Sequence, residues 1–390
     1  MDLLSHKIVD EYLRTYKGKP ADIALEKSPF KEISSKELAQ QLQGLRIAKI
    51  KFPSWFANHQ LIYPPKINLE QSSSELTAWY KSQLVSGKHL ADLTTGMGID
   101  SYWFSKRFDR VDCFELNAEL LKLTSHNLKA LDCSNIFTHN SDGLKGVAKL
   151  EPDWIYVDPS RRDENKSKVF RLSDCQPDMT AQLSLLLKIA PNVMIKTSPM
   201  LDISQGLREL KHVREIHVLA VKGEVKELLW LCERDFHGEV GLTASNIIGF
   251  DQVERFRSEF GKTYPKPPLN SPLLYLYDPN SALVKADLQD ELALELGLAK
   301  LNSHTHLYTA PELIDYPGRK FELLEVIPYK KSVLKKKLAS DKINVVSKNF
   351  PLSVKQIRQT WMLKEGGEEF LFFVKDHQDQ KIVIRAKRAN

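Results

Sequence analysis

The sequence predicts an α/β protein: a doubly wound, largely parallel sheet of seven strands closed by an antiparallel hairpin, with a helical N-terminal region and a C-terminal α+β module. Three observations carry this expectation. Between His89 and about Glu233, strand-like apolar runs alternate with helix-length segments, and strands separated by whole helices need crossovers, which make a parallel sheet. The last two runs, 215–221 and 228–233, are joined only by Lys222-Gly-Glu-Val-Lys-Glu227. That is hairpin length with Gly223 in the turn, so those two strands must pair antiparallel. Finally, His89-Leu-Ala-Asp-Leu-Thr-Thr-Gly-Met-Gly98 reads as a short buried strand, 90–93, running through a glycine turn into a helix over 101–108.

Length and composition set the class. A chain of 390 residues, 42% hydrophobic and 27% charged, suits a globular protein of two or three domains. It holds no apolar run of about 18 residues, so no membrane span is expected. Met1-Asp-Leu-Leu-Ser-His-Lys7 lacks the apolar core of a signal peptide, and a cytoplasmic location is expected. Cys113, Cys133, Cys175 and Cys232 are far apart, which fits reduced structural thiols and no metal site. Charge is unevenly placed: residues 320–390 hold 16 Lys and Arg against 8 Asp and Glu, within a chain whose net charge is only +6. A basic module on a near-neutral body suits an anionic partner, foremost nucleic acid.

Taken in order, residues 1–65 read as helical. Ser34-Ser-Lys-Glu37 is a capping-box pattern followed by Leu38, Leu42 and Leu45 at helical spacing. Trp55 and Phe56, after Pro53, are candidates to dock this region, and Tyr63-Pro-Pro65 reads as a linker. Residues 66–240 form the main domain, starting with a second capping-box pattern, Ser72-Ser-Ser-Glu75, and a helix bearing Leu76, Trp79, Tyr80 and Leu84. Its strands are expected at 90–93, 111–115, 136–139, 154–158 and 193–197, then the hairpin. Residues 241–320 form a connector with a Pro-rich boundary at 262–268, a strand at 273–277, a turn at Asp278-Pro-Asn280 and a helix over 282–296. Residues 321–390 should hold strands at 321–327, 343–346, 361–364, 370–374 and 381–386, with helices at 330–338 and 354–359.

Candidate chemistry lies at the strand ends. A glycine turn after a strand lets backbone N–H groups approach a ligand. The dinucleotide fingerprint is incomplete because Ser101 stands at its third glycine, and Asp92 suits a cationic or amine-bearing ligand better than a diphosphate. Glu115 ends the second strand 17 residues after Gly98, where a carboxylate can accept ribose hydroxyls. Asp142 follows the third strand, and the fourth delivers Asp158-Pro-Ser-Arg-Arg162 to the same sheet edge. Lys196 at the tip of the fifth strand could face either the pocket or solvent.

Asp92-Leu-Thr-Thr-Gly-Met-Gly98 resembles motif I of class I S-adenosylmethionine (SAM) dependent methyltransferases, and the terminal hairpin is their layout. From about Gln71 to the end, including Leu276-Tyr-Asp-Pro-Asn280 and Leu301-Asn-Ser-His-Thr-His-Leu-Tyr308, the chain resembles bacterial members with a ferredoxin-like insert and a C-terminal THUMP-like domain. The resemblance implies SAM as cofactor, with contacts at Asp92, Thr94, Gly96, Gly98, Glu115, Leu116, Asp142 and Gly143. It places the reaction at Asp158, Pro159, Ser160 and Arg161, with Arg162 on a phosphate.

THUMP modules bind RNA, so the resemblance implies tRNA or rRNA as partner, docked by Lys330, Lys331, Lys335, Lys336, Lys337, Lys387 and Arg388. The expected acceptor is a base nitrogen. Asp158-Pro-Ser-Arg departs from the Asp/Asn-Pro-Pro-aromatic tract of base-amine enzymes at Ser160 and Arg161. It is closer to the Asp-Pro-x-Arg of RNA uridine C5 enzymes, but Lys196-Thr-Ser-Pro199 has no cysteine nucleophile. Two other readings stay open: a methyltransferase of a small molecule or protein, and an RNA-binding or assembly factor without turnover.

Overall fold

The computed structural model describes residues 3–161, 171–338 and 342–389. Its contacts divide into two compact units, residues 1–216 with 227–238, and residues 217–226 with 239–390.

The first unit holds the parallel sheet. Its strands are β1 (Gly87–Asp92), β2 (Phe108–Phe114), β3 (Ile136–His139), β4 (Trp154–Val157) and β5 (Asn192–Thr197). The hairpin strands β6 (Val213–Val221) and β7 (Glu224–Glu233) each run from one unit into the other. The hydrogen-bonded order is β3-β2-β1-β4-β5-β7-β6. β1 to β5 pair parallel, and β7 runs antiparallel against β5 with Ile195 opposite Trp230. Lys222 and Gly223 both have positive φ, +50° and +84°, as a two-residue turn matching the twist of its strands requires. Because β1, β4 and β5 are covered on both faces, they read as continuous apolar runs, and Leu90, Ile155, Val157, Val193 and Ile195 are all buried.

The N-terminal helices share a core with this domain. Val9, Leu13, Leu38, Leu42, Phe52 and Trp55 pack with Met97 and Ile99, directly after the glycine turn. Trp55 meets Tyr102 edge-on at 5.9 Å. The Ser34–Glu37 capping box forms as expected. In the second pattern, Ser74 is the cap, accepting from Thr77 N–H, while Glu75 accepts from Ser54 N–H. Tyr63-Pro-Pro65 is no free linker: Tyr63 is 1% exposed and exchanges backbone hydrogen bonds with the Gln41 amide at 2.9 Å each way.

The second unit contains a hairpin of β8 (Gly241–Gly249) and β9 (Gln252–Glu259), with β8 beside the outer half of β6. Its other sheet takes the order β11-β12-β10-β13-β16-β15-β14. Those strands are β10 (Tyr275–Pro279), β11 (Ala299–Asn302), β12 (Thr305–Ala310), β13 (Gly318–Pro328), β14 (Asn344–Ser347), β15 (Glu369–Lys375) and β16 (Lys381–Arg388).

Three expected elements differ. The helix expected over 101–108 is Ile99–Phe104, because Phe108 opens β2. That expected over 282–296 is two, Ser281–Ala286 and Gln289–Glu295, broken where Asp287 turns left-handed. Residues 361–364 are not a strand, since the helix Val354–Trp361 reaches into them and ends at a left-handed Met362.

Gly44 lies where the helix Ser35–Lys51 meets Tyr63, and a Cβ there would fall 2.2 Å from the Tyr63 Cβ. Alanine's helix propensity favours Gly44→Ala by about 1 kcal/mol, whereas overpacking costs about 1–3 kcal/mol. Urea unfolding should show a net loss of up to ~2 kcal/mol. A more stable variant would mean that Tyr63 is not wedged against this helix.

Candidate active site

The turn after β1 is tied to both neighbouring strands. Leu93 N–H donates to Tyr156 C=O at 3.0 Å, and Thr95 N–H to Phe114 C=O at 3.1 Å. Gly96 and Gly98 both take left-handed φ, +56° and +83°, and a Cβ on Gly98 would strike Thr124 at 2.8 Å. Asp92 is turned into the protein. Its carboxylate accepts from Thr94 N–H at 3.0 Å and from the Ser101 hydroxyl, and it is 1% exposed. The residue that breaks the dinucleotide fingerprint, Ser101, is therefore the partner of the strand-end acid.

The other strand ends come to this turn. Glu115 reaches across from β2, accepting from Gly96 N–H at 3.1 Å with one oxygen and from Asn117 N–H at 2.8 Å with the other. Leu116 beside it is 67% exposed. Asp142 caps the helix Gly143–Val147 by accepting from Leu144 N–H at 2.9 Å. Gly143 is required there, because a Cβ would come within 2.6 Å of the Leu93 carbonyl oxygen. From β4, Asp158 N–H donates to Thr94 Oγ1 at 2.7 Å, fastening the Asp-Pro tract to the glycine turn. Pro159 is buried. Ser160 and Arg161 pair through their backbones with Gln176 and Cys175. Arg162 lies outside the described residues.

Sequence reasoning missed the cluster behind Asp158. Lys196 faces inward, its Nζ donating to Asp158 Oδ2 at 2.5 Å and to Ser73 Oγ at 3.3 Å. Lys81, from the helix Glu75–Gln83, is 0% exposed and contacts Ser73 Oγ at 2.6 Å, Asp100 Oδ1 at 2.9 Å and Glu227 Oε1 at 3.1 Å. Asp100 also accepts from the Ser73 and Tyr156 hydroxyls, at 2.8 and 3.0 Å. Burial alone would raise the Asp100 carboxyl, but Lys81 and Lys196 hold it below its ordinary range. Burial alone would lower the Lys196 ammonium, but Asp158, Glu227 and Asp100 hold it above its ordinary range. One signal was legible: Lys81 shares the buried stripe of Thr77 and Ala78 at helical spacing, where a lysine needs anionic partners.

The polar groups at this turn have the chemistry to meet the hydroxyl and amino groups of a nucleoside. Glu115 offers acceptor oxygens beside an exposed aliphatic surface at Leu116, Asp142 adds a further acceptor, and the glycine turn admits close backbone approach.

In the second unit, Lys330, Lys331, Lys335, Lys336 and Lys337 are all exposed, on the helix Lys331–Lys337 and the residue before it. Lys337 is ion-paired with Glu325. Lys387 and Arg388 belong to a different cluster. Arg388 stands opposite Phe321 in the β13–β16 register, whereas the lysine helix begins beyond Pro328. Seven strand residues separate the two positions, roughly 23 Å. Among the described residues, no helix is long and apolar enough to cross a membrane, and no cluster could hold a metal ion.

Residues 318–388 match a family model described as THUMP domain-like, and residues 275–317 match one described as a ferredoxin-like domain. No curated protein matches the chain. Among solved structures, a "putative methyltransferase" from Porphyromonas gingivalis W83 is 30% identical, with 98% of each chain covered and a TM-score of 0.86. Fainter likenesses run to an rRNA methylase from Streptococcus thermophilus, 12% identical over 41% of this chain and 94% of that one, TM-score 0.31. Another is M. capricolum TrmK in complex with S-adenosyl-homocysteine, 14% identical over 43% and 70%, TM-score 0.32.

Asp92 has a measurable consequence. Burial pushes its carboxyl up to about 7, against the opposing hydrogen bonds from Ser101 and Thr94. The folded protein then keeps a proton that the unfolded chain has lost, so this group's contribution to stability falls as pH rises from about 4 to about 7. The full effect is on the order of 4 kcal/mol. Wild type should lose unfolding free energy relative to Asp92→Asn across that window in urea titrations. Parallel curves would show that the carboxyl is ionised throughout.

Proposed function

The chain belongs to the class I SAM-dependent methyltransferases that carry a THUMP-like domain, and we propose from that premise that it methylates RNA, tRNA or rRNA, docked by its basic C-terminal module. The observation that carries this reading is the presence in one chain of a methyltransferase sheet, like that of a solved "putative methyltransferase" along the whole chain, and a THUMP-like domain whose helix Lys331–Lys337 exposes four lysines.

SAM supplies an electrophilic methyl group on a sulfonium sulfur. Glu115 accepts the ribose hydroxyls of the cofactor, Leu116 covers a face of its adenine, and Asp142 accepts the adenine amino group. Gly96 and Gly98 keep the backbone open beside the methionyl part. Asp92 acts through the turn, where it fixes Thr94 and Ser101. Asp158 lies at the acceptor end, held by Thr94 and Lys196. The exposed lysines attract phosphates and release counterions, a term that gives affinity without sequence choice.

Nucleoside mass spectrometry of RNA from a deletion strain and its parent tests the function. One methylated nucleoside should be missing from the deletion strain, and identical profiles would sink the proposal. By calorimetry, Glu115→Ala should weaken SAM binding by about 1–3 kcal/mol, the cost of leaving hydroxyl groups unpaired. Replacing Lys330, Lys331, Lys335 and Lys336 together with Gln should weaken RNA binding and make its salt slope shallower by ~0.9 for each phosphate that is no longer neutralised. SAM affinity should not change, and a drop there would remove this helix from the RNA interface.

A further inference from the structure

The cluster behind Asp158 has a donor and acceptor count that bears on which atom receives the methyl group. Lys81 is turned inward, donating to Ser73 Oγ and Glu227 Oε2 and ion-paired with Asp100, and has no exposed surface. Lys196 lies one step nearer the rim, with 12% of its side chain exposed, and Asp158 has 29% exposed. Lys196 uses two N–H bonds on Asp158 Oδ2 and Ser73 Oγ. An ammonium carries three. The rim therefore presents one carboxylate oxygen able to accept, Asp158 Oδ1, beside one N–H able to donate.

An exocyclic base amine brings two N–H donors and needs two acceptors. Here one oxygen of Asp158 is occupied by Lys196, and the Ser160 backbone beside it is paired with Gln176. An ammonium facing such an amine would set donor against donor. A hydroxyl group matches the rim, because it donates once and accepts through its lone pairs.

Resting on the RNA reading above, we infer that the acceptor is a hydroxyl oxygen, the ribose 2′-hydroxyl repeated along RNA, held between Asp158 and Lys196. This replaces the base nitrogen expected from the Asp-Pro-Ser-Arg tract. The hydroxyl donates to Asp158 Oδ1 while the Lys196 ammonium meets its oxygen. As the new oxygen–carbon bond forms, the carbon–sulfur bond breaks and its electron pair returns to sulfur, which becomes a neutral thioether. The hydroxyl proton passes to the Asp158 carboxylate and is later lost to water, so atoms and charge balance. Asp158 and Lys196 are catalytic residues in this scheme. Lys81, Asp100, Glu227 and Ser73 are positioning residues that hold the pair in place.

The test uses the full chain, methyl-labelled SAM and RNA from a strain lacking the gene, followed by alkaline hydrolysis of the labelled RNA. A 2′-O-methyl group removes the nucleophile for alkaline cleavage, so the label should appear in alkali-stable dinucleotides. Label in mononucleotides would overturn the hydroxyl inference and leave RNA methylation standing. No label in RNA, with SAM still bound by calorimetry, would overturn the RNA reading and this inference with it. Lys196→Gln, a rim substitution, should lower the rate roughly 10²-fold or more, the range expected when the attacking group and its proton acceptor lose their placement, with SAM affinity within twofold of wild type. Lys196→Arg, which keeps the charge, should recover part of that loss. A rate for Lys196→Gln within twofold of wild type would overturn the assigned pair.

Discussion

The first unit turns on the enclosure of the Lys81 ammonium. A buried charge without partners would cost several kcal/mol, and removing one partner from a buried pair typically costs about 3–5 kcal/mol. Ser73 lies just before the Lys81 helix, Asp100 follows the glycine turn, and Glu227 is on β7. The contacts therefore dictate how the lead-in helix, the cofactor turn and the far side of the sheet sit together. An apolar side chain at position 81 could fill the space but could not demand those three partners. Buried polar clusters of this kind trade net stability for a specified arrangement, and here the arrangement ends at Asp158 through Lys196.

Much of the fold was legible from periodicity. Alternating apolar runs mark every strand of the parallel sheet, and the short spacing around Gly223 dictates the direction of β7. Boundaries were less legible, for local reasons. Met362 takes a left-handed conformation that its residue type does not announce, Asp287 one that aspartate tolerates without requiring, and each ends a helix where the apolar pattern continues. Tyr63-Pro-Pro65 carries linker punctuation, yet Gln41, 22 residues earlier, supplies the backbone partners that bind it down. Such pairings are tertiary and have no periodic signature.

The candidate site was legible as a set of strand ends and illegible as a set of orientations. Asp92, Glu115, Asp142 and Asp158 do gather around one turn, but each is already engaged: with Ser101, with Gly96 and Asn117, with Leu144, and with Lys196. The basic module shows the same limit. Lys387 and Arg388 count toward its charge just as Lys335 and Lys336 do, yet the β13–β16 register puts them at opposite ends of a long strand. Arg388 lies over the Phe321 ring, 4.7 Å from its centroid, and Lys387 pairs with Glu322 at 3.0 Å, so both are partly committed to the sheet.

The ferredoxin-like and THUMP-like segments are not independent beads. β10 pairs directly with β13, Leu276 opposite Phe321, so one sheet passes through both family-model matches. Asp278, 2% exposed, binds Arg319 at the start of β13 and Lys348 just after β14, the latter at 2.5 Å. One buried carboxylate from the ferredoxin-like segment thus takes two cations from the THUMP-like segment. Those two cations are withdrawn from any phosphate. The formal charge of the module therefore overstates what it can offer to a polyanion, and among the described residues Lys330, Lys331, Lys335 and Lys336 are where unpaired positive charge concentrates. Charge that is satisfied internally builds the platform, and only charge left in water holds counterions that a polyanion could release.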